Sequence, residues 1–497
     1  MASVSDSEGK AAVANAPSGH VVVSSAARTF LAWPGLSFPL VAALLGYALV
    51  LLTPAVLNDP DTYWHIATGS WILDHRAIPR VDPFSFTMAG HPWVAHEWLS
   101  ELLMALAYRA LGWDGIVILF GIAFAGTVGP LARYLARHTS LLPASVALTL
   151  GALCVGPSLL ARPHLLALPL LIMWTIGLLQ AQERRTPPPF RLLPLMLIWA
   201  NLHASFIFGL ALIAPIALEA VINAKRDAWR VARNWALFFV ASLAMTLLTP
   251  HGWHGVLFPF QLMSLRLVGT IGEWRQLDLH SFHPIEAALV ALLYVIVSRR
   301  VWIPALRLLI ALALLYLAFK HSRHEMLAGI VGAAILAEPL GRALGGIQPP
   351  PLARGLSWRG AGVAVAIAAL LTMLRFAYPI VRGDGPVSPV TALAAVPAEL
   401  LPQPVFNEYE FGGYLIFRHV KPFIDGRADM YGDAFMFSYL DASRPDRAAF
   451  ERLAHQYRIR WALLATGGPM AHMVAGLPGW RRIHSDDVAA VFVNDGS

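Results

Sequence analysis

Chemistry in this sequence gathers in a few short stretches. Between Asn58 and Glu101 stand Asp59, Asp61, His65, Asp74, His75, Asp82, His96 and Glu97, in a chain of which only 13% of residues are charged. Asp59-Pro60-Asp61 offers paired carboxylates that suit a divalent cation such as Mg or Mn held through oxygen, or a general base. The same residues also suit a helix-ending turn followed by the cap of the next helix. His96-Glu97, with Glu101 one turn later, places a histidine and carboxylates on one helical face. They read either as a base or metal ligand, or as acids favoured by a helix N-terminus.

Further along, Arg162-Pro163-His164 opens an apolar run, and Asn201 with His203 sits at a turn between two others. Lys320-His321-Ser322-Arg323-His324 puts permanent cations and histidines at one helix end. Arginine grips a phosphate bidentately and histidine carries a proton. Snorkelling and interhelical hydrogen bonding are the structural alternatives. His251, His254, Glu273, Trp274 and Arg275 are further candidates in the 251–283 loop. In the last part of the chain, Asn407-Glu408-Tyr409-Glu410-Phe411-Gly412-Gly413-Tyr414 and Ile424-Asp425-Gly426-Arg427 stand out. Their glycines read first as tight turns or bulges, and Asp425 with Arg427 as a structural pair. GxxxxGK[ST], GxSxG and HExxH are not found, so nucleotide hydrolysis, serine-hydrolase and zincin chemistry have no support in sequence.

The elements that must position these residues are membrane helices. The chain has 497 residues, 57% hydrophobic, whereas soluble domains carry about 25% charged residues. A run at roughly 36–57 reads as a retained first span, too long and too late for a signal peptide. Apolar segments follow at about 115–136, 142–157, 163–182, 191–202, 203–223, 234–249, 285–298, 303–319, 325–341 and 361–381, giving about 11 spans, several of them short. The stretches 62–75 and 97–112 fit amphipathic helices lying in the interface. With the N-terminus inside, Arg133 and Arg137, Arg184, Arg185 and Arg191, Lys225 to Arg233, Arg299, Arg300 and Arg307, and Arg342, Arg354 and Arg359 all fall inside. The net charge of +7 is thereby explained without nucleic acid. The candidate residues fall together on the outside face. Residues 1–33 read as a disordered cytoplasmic tail, 34–383 as the transmembrane body with its first outside loop at 58–113, and 384–497 as a small α/β domain outside. Val405–Phe417, Pro422–Ile424, Trp461–Ala465 and Ala489–Asn494 have strand character, and Arg444–Tyr457 reads as a helix that Ser443 caps. Cys154, the single cysteine, gives no disulfide framework and no zinc site.

This order resembles the GT-C class of integral membrane glycosyltransferases, and within it the bacterial branch described as RgtA/B/C/D-like, related to protein O-mannosyltransferases. The resemblance rests on one helix, an outside loop opening with Asp59 and Asp61, two interfacial helices, many spans and a C-terminal outside part, and it covers roughly residues 35–381. It implies a mainly α, polytopic GT-C-like bundle in the bacterial inner membrane. It implies transfer of a sugar from a polyprenyl-phosphate donor to a periplasmic glycan, lipid or protein acceptor. Asp59 matches the acid that positions or deprotonates the acceptor, and Asp61 the second acid, which binds metal in some members and not in others. Lys320, Arg323 and Arg162 match, by position, residues that hold the donor phosphate. With them, His65, His96, His164, His203, His321 and His324 are expected to bind substrate, and Glu97 to act with the aspartates. The rival expectation is a transporter or flippase of a lipid-linked or anionic solute, which favours two related halves with broken helices; no such internal symmetry is visible. A catalytically silent scaffold is the third.

Overall fold

The structure, a computed structural model, describes residues 36–270, 272–345 and 357–495; the tail expected at 1–33 and Arg354 lie outside them. Helix α1 (Phe38–Leu52) ends at Thr53-Pro54, and a 3-10 turn (Pro54–Leu57) leads to Asp59. Asp59 caps α2 (Pro60–His75): its carboxylate accepts the Asp61 amide at 2.8 Å while Pro60 fills the first helical position, a pairing that satisfies one amide and needs no other. After a loop, α3 (Trp98–His138) is broken at Gly112, whose φ of 61° and ψ of −145° lie outside the helical region; only glycine takes that backbone without strain. The limb before Gly112 packs on α2, with Arg109 bonded to Asp74 at 2.7 Å. The limb after it packs on α1. The interfacial helix and the first long span expected from sequence are thus one helix with a bend.

The bundle continues through α4 (Leu141–Leu153), α5 (Pro163–Glu183), α6 (Leu193–Leu202), α7 (Phe206–Ala224), α8 (Ala228–Leu247), α9 (Trp253–Ser264), α10 (Pro284–Arg299), α11 (Ala305–Lys320), α12 (Glu325–Ala343) and α13 (Trp358–Ala377). Its core joins α1, α3, α5, α7 and α12, with Trp174, Trp199 and Trp235 buried among them. Each of the apolar segments read from sequence falls on a helix, but fewer are long enough to cross. By length and composition, six helical stretches among the described residues reach the length and apolarity of a span, among them Leu141–Ser158, which extends α4, and Phe206–Leu247, which joins α7 and α8, with Phe38–Leu52 and Phe190–Leu202 as shorter apolar ones. Helices α10 and α11 have 16 residues each, about 24 Å of rise against a hydrocarbon core of about 30 Å. The chain is a multi-pass membrane protein.

The last part holds a sheet of order β1-β2-β4-β3: β1 (Val405–Asn407) parallel to β2 (Trp461–Ala465), then β4 (Ala489–Asn494) and β3 (Trp480–Ser485) antiparallel. Five helices accompany it: α14 (Val390–Ala394), α15 (Gly412–Phe417), α16 (Ala428–Ser443), α17 (Arg447–Gln456) and α18 (Pro469–Ala475). The strand expected over 405–417 stops at Asn407, and α15 takes its second half; 422–424 is not a strand. Strand β3, whose charged residues hide its alternation, was not legible. The cap of α17 is Asp446, which accepts the Ala449 amide at 3.0 Å; Ser443 ends the preceding helix instead, its hydroxyl bonded to the Leu440 carbonyl. This part lies directly on the first loop. Arg427 is buried between Asp82 and Asp425, at 2.6 and 2.7 Å, and stands over the Trp93 ring at 4.8 Å.

Candidate active site

A cavity of about 540 Å³ opens where α2, α5, the turn at 203–205, the 3-10 turn Gly272–Trp274, the 320–324 segment and the C-terminal part converge. Its polar wall brings together Asp61, His65, His96 and Glu97 from the first loop with Arg162, His164 and His203. Lys320, His321, Arg323 and His324 complete it. Asp59 alone among the expected site residues does not line it. It lies 1% exposed behind Arg162, one carboxylate oxygen on the Asp61 amide and the other 2.6 Å from the Arg162 Nε. The opposite wall is apolar, with Leu168, Leu171, Phe208, Met263, Leu317 and Met326.

Arg162 is the hub. Proline at 163 starts α5 and leaves Arg162 extended at the cap position, so its side chain reaches back over the Asp59 turn. Its guanidinium meets Asp59, Asp61 at 2.9 Å and Glu273 at 2.8 Å. Glu273 also receives Arg323 at 3.0 Å, and the Trp274 ring lies under the Arg323 guanidinium at 4.4 Å. Three carboxylates therefore face two guanidiniums, and one proton would balance the group. Burial pushes the Asp61 carboxyl up to about 8 against the pull of Arg162, with the Asp59 charge adding to the rise; Asp61 takes that proton. Burial works against the charge on Glu273 too, but Arg323 and Arg162 hold it down at about 2.

Glu97 centres a second group. His203 and His96 approach it through Nε2 at 3.4 and 3.5 Å, and His65 at 3.9 Å. The His203 Nδ1 accepts the Ser205 amide, so in the neutral ring the proton sits on Nε2 and points at Glu97. Burial drives His203 and His65 down to about 3, leaving both neutral. For His96 burial works downward but the Glu97 carboxylate outweighs it, and its pKa is raised. Burial likewise opposes the Glu97 charge, yet the His96 contact and the other rings hold it well below the usual carboxylate range. The outcome is a fixed anion among hydrogen-bond donors, suited to gripping hydroxyl groups.

Glu273, a lesser candidate in sequence, sits at the centre of the arginine pair. The C-terminal part supplies Tyr409, Glu410, Gly426 and Asp429 to the wall, although its motifs read as structural. Gly426 is there for space: a Cβ would stand 1.8 Å from the Asp61 Oδ1. No residue type announces such an approach, so the signal lay only in the distinctive Ile424-Asp425-Gly426-Arg427 string. For the divalent cation considered at Asp59 and Asp61, the donor set does not fit: the Arg162 guanidinium already stands between the two carboxylates. Among the described residues no group of three or more His, Cys, Asp or Glu is placed to hold a metal ion.

No family model matches the chain, and no curated protein matches it. Among solved structures it is similar to ArnT from Cupriavidus metallidurans bound to undecaprenyl phosphate, with a TM-score of 0.50 at 12% identity, over 95% of this chain and 99% of that one. It is also similar to the arabinofuranosyltransferase AftD from Mycobacteria, with a TM-score of 0.48 at 15% identity, over 95% of this chain and 42% of that one; the chain spans less than half of that protein. The likeness to ArnT shows the fold: the chain has the GT-C architecture expected from its order of elements.

Proposed function

We propose that this protein is a GT-C membrane glycosyltransferase that moves a sugar from a polyprenyl-phosphate donor to an acceptor hydroxyl. The observation that carries the reading is one cavity in which Arg162, Arg323 and Asp61 face an apolar wall. A lipid phosphate needs cations for its head and apolar surface for its chain, and this cavity offers both. ArnT, of the same fold, binds undecaprenyl phosphate, which supports the same kind of donor here.

The donor phosphate takes the place of the Glu273 carboxylate between Arg162 and Arg323, with Lys320 nearby. The acceptor oxygen attacks the anomeric carbon, the carbon–oxygen bond to phosphate breaks, and polyprenyl phosphate leaves with the electron pair, its charge held by the two guanidiniums. Asp61 takes the acceptor proton. Asp59, expected from the family resemblance to be the base, is shielded from the cavity and is the residue that positions Arg162. Glu97 with His65, His96 and His203 grips sugar or acceptor hydroxyls, and no metal takes part in the step. The arginine-rich bundle end opposite the site supports a bacterial inner membrane placement with the cavity facing the periplasm, toward a glycan, lipid or protein acceptor.

The test incubates purified protein with a panel of radiolabelled polyprenyl-phosphate sugars, with and without EDTA, beside Asp61→Asn and Arg162→Ala. Sugar transfer that persists in EDTA and falls by about 10²-fold or more in Asp61→Asn, the range of a lost general base, supports the reading. Lipid-linked sugar carried across proteoliposomes without bond cleavage would instead establish a transporter.

A further inference from the structure

Helix α5 starts in the candidate site at Arg162 and ends 21 residues later at Glu183-Arg184, about 32 Å away. At that far end a second cavity, of about 380 Å³, lies between α5, the last turns of α3 and the 186–192 connection. Arg133 and Arg137, one turn apart on α3, line it with Arg184 and Arg191, and no aspartate or glutamate does. Among the described residues none of the four side chains has an ion pair or hydrogen bond. Cations at helix C-termini and on the inner face of a membrane are ordinary, and Arg133, Arg184 and Arg191 are exposed here with Arg137 half-buried; what sets them apart is that all four border one concavity whose lining carries no acid. The neighbouring cavity on this face shows the contrast. There Glu219 and Glu338 stand in the wall with Arg185, Arg230 and Arg342; Glu338 pairs with Arg342 at 3.1 Å, and both glutamates pair with the buried Arg307, Glu219 at 3.2 Å and Glu338 at 2.7 Å. Glu183, whose charge also reaches Arg137, is bonded to the Tyr134 hydroxyl and paired with His138 rather than with any of the four arginines. Deeper in, the walls are apolar, with Pro130, Met173 and Ile176.

We propose that this cavity binds a phosphate anion, carried by the head group of an anionic lipid whose chain lies on Met173 and Ile176. Guanidiniums match phosphate oxygens in pairs, and a basic pocket between spans at headgroup depth is where such lipids bind. The site is separate from the sugar-transfer cavity, and the inference stands whether or not that reading does.

The test uses the full chain, delipidated in non-ionic detergent, titrated with dioleoylphosphatidylglycerol and followed by native mass spectrometry, with inorganic pyrophosphate as the soluble arm. Two independent pairs remove the charges, Arg133→Gln with Arg191→Gln and Arg137→Gln with Arg184→Gln. Arg299→Gln with Arg300→Gln is the control on the same face. One saturable lipid is expected, weakened about tenfold or more by either site pair, as for loss of a charge-assisted hydrogen bond, and unchanged by the control. Pyrophosphate that displaces the lipid supports phosphate as the recognised group, and pyrophosphate that binds as tightly alone makes the source soluble. Lipid uptake unchanged in both site pairs, or weakened equally by the control pair, in proteins with wild-type unfolding midpoints overturns the proposal.

Discussion

At the scale of single residues, the site turns on which of two aspartates is free to act. Asp61 faces the cavity with its carboxyl raised to about 8, near the pH at which a base both holds the right charge state and pulls a proton effectively. A base works deprotonated, so kcat/KM should rise with pH through about 8 and level above it. Because the Asp59 charge is one cause of that rise, Asp59→Asn should move the limb to lower pH while Arg162, losing a partner, binds donor less well. Rate profiles from pH 6 to 10 for wild type and Asp59→Asn check both. A limb that vanishes in Asp59→Asn would return the base role to Asp59. The residue types were legible because polar side chains at membrane depth are costly, so those that remain stand out; their depth was not. Asp59 and Asp61 are two positions apart, and only the turn at Pro60 decides which one Arg162 covers.

At the scale of elements, the Gly272–Trp274 turn decides whether the arginines are available. It is held by the 319–322 segment, with the Ser322 hydroxyl and His321 Nδ1 bonded to the Glu273 and Trp274 carbonyls and the Leu277 amide bonded to the Phe319 carbonyl. In the proposed donor complex the phosphate takes the place of the Glu273 carboxylate, so the two would compete for the same guanidiniums. Glu273→Gln keeps the shape and removes the charge, and donor KM should fall by about tenfold, the scale of one charge-assisted contact, with kcat reduced much less. Steady-state kinetics with varied donor check this; an unchanged KM with abolished kcat would place Glu273 in the chemistry instead. Sequence reading found the helices because apolar runs mark them, and it separated the first limb of α3 from the long apolar run after it because Glu101 and Arg109 interrupt its apolar face. It also read 285–298 and 303–319 as short for a span, and α10 and α11 have 16 residues each. It could not order the sheet, whose β1 and β2 pair in parallel across 53 intervening residues.

At the scale of the whole molecule, the C-terminal part is a wall of the cavity, attached through an apolar contact of Tyr63 and Trp64 with Tyr414, Ile416 and Phe417 and through one buried ion group. Arg427 bridges Asp82 of the first loop and Asp425 of its own turn, with the Tyr431 hydroxyl also on Asp425 at 2.7 Å. All three charged side chains are out of water. Removing one partner from such a group leaves uncompensated buried charge and costs about 3–5 kcal/mol, whereas replacing the whole group with neutral side chains of similar size costs far less. Arg427→Met should therefore lower the unfolding midpoint in detergent and expose the 378–404 connection to limited proteolysis. Adding Asp82→Asn and Asp425→Asn to it should recover most of the midpoint. The two variants separate attachment from chemistry, because neither touches Asp61 or the arginine pair directly. If Tyr409, Glu410 and Asp429 complete the site, sugar transfer falls in Arg427→Met and returns in the triple variant along with stability. A triple variant that is stable, protease-resistant and still inactive would mean that Arg427 serves the reaction as well as the joint between the two parts.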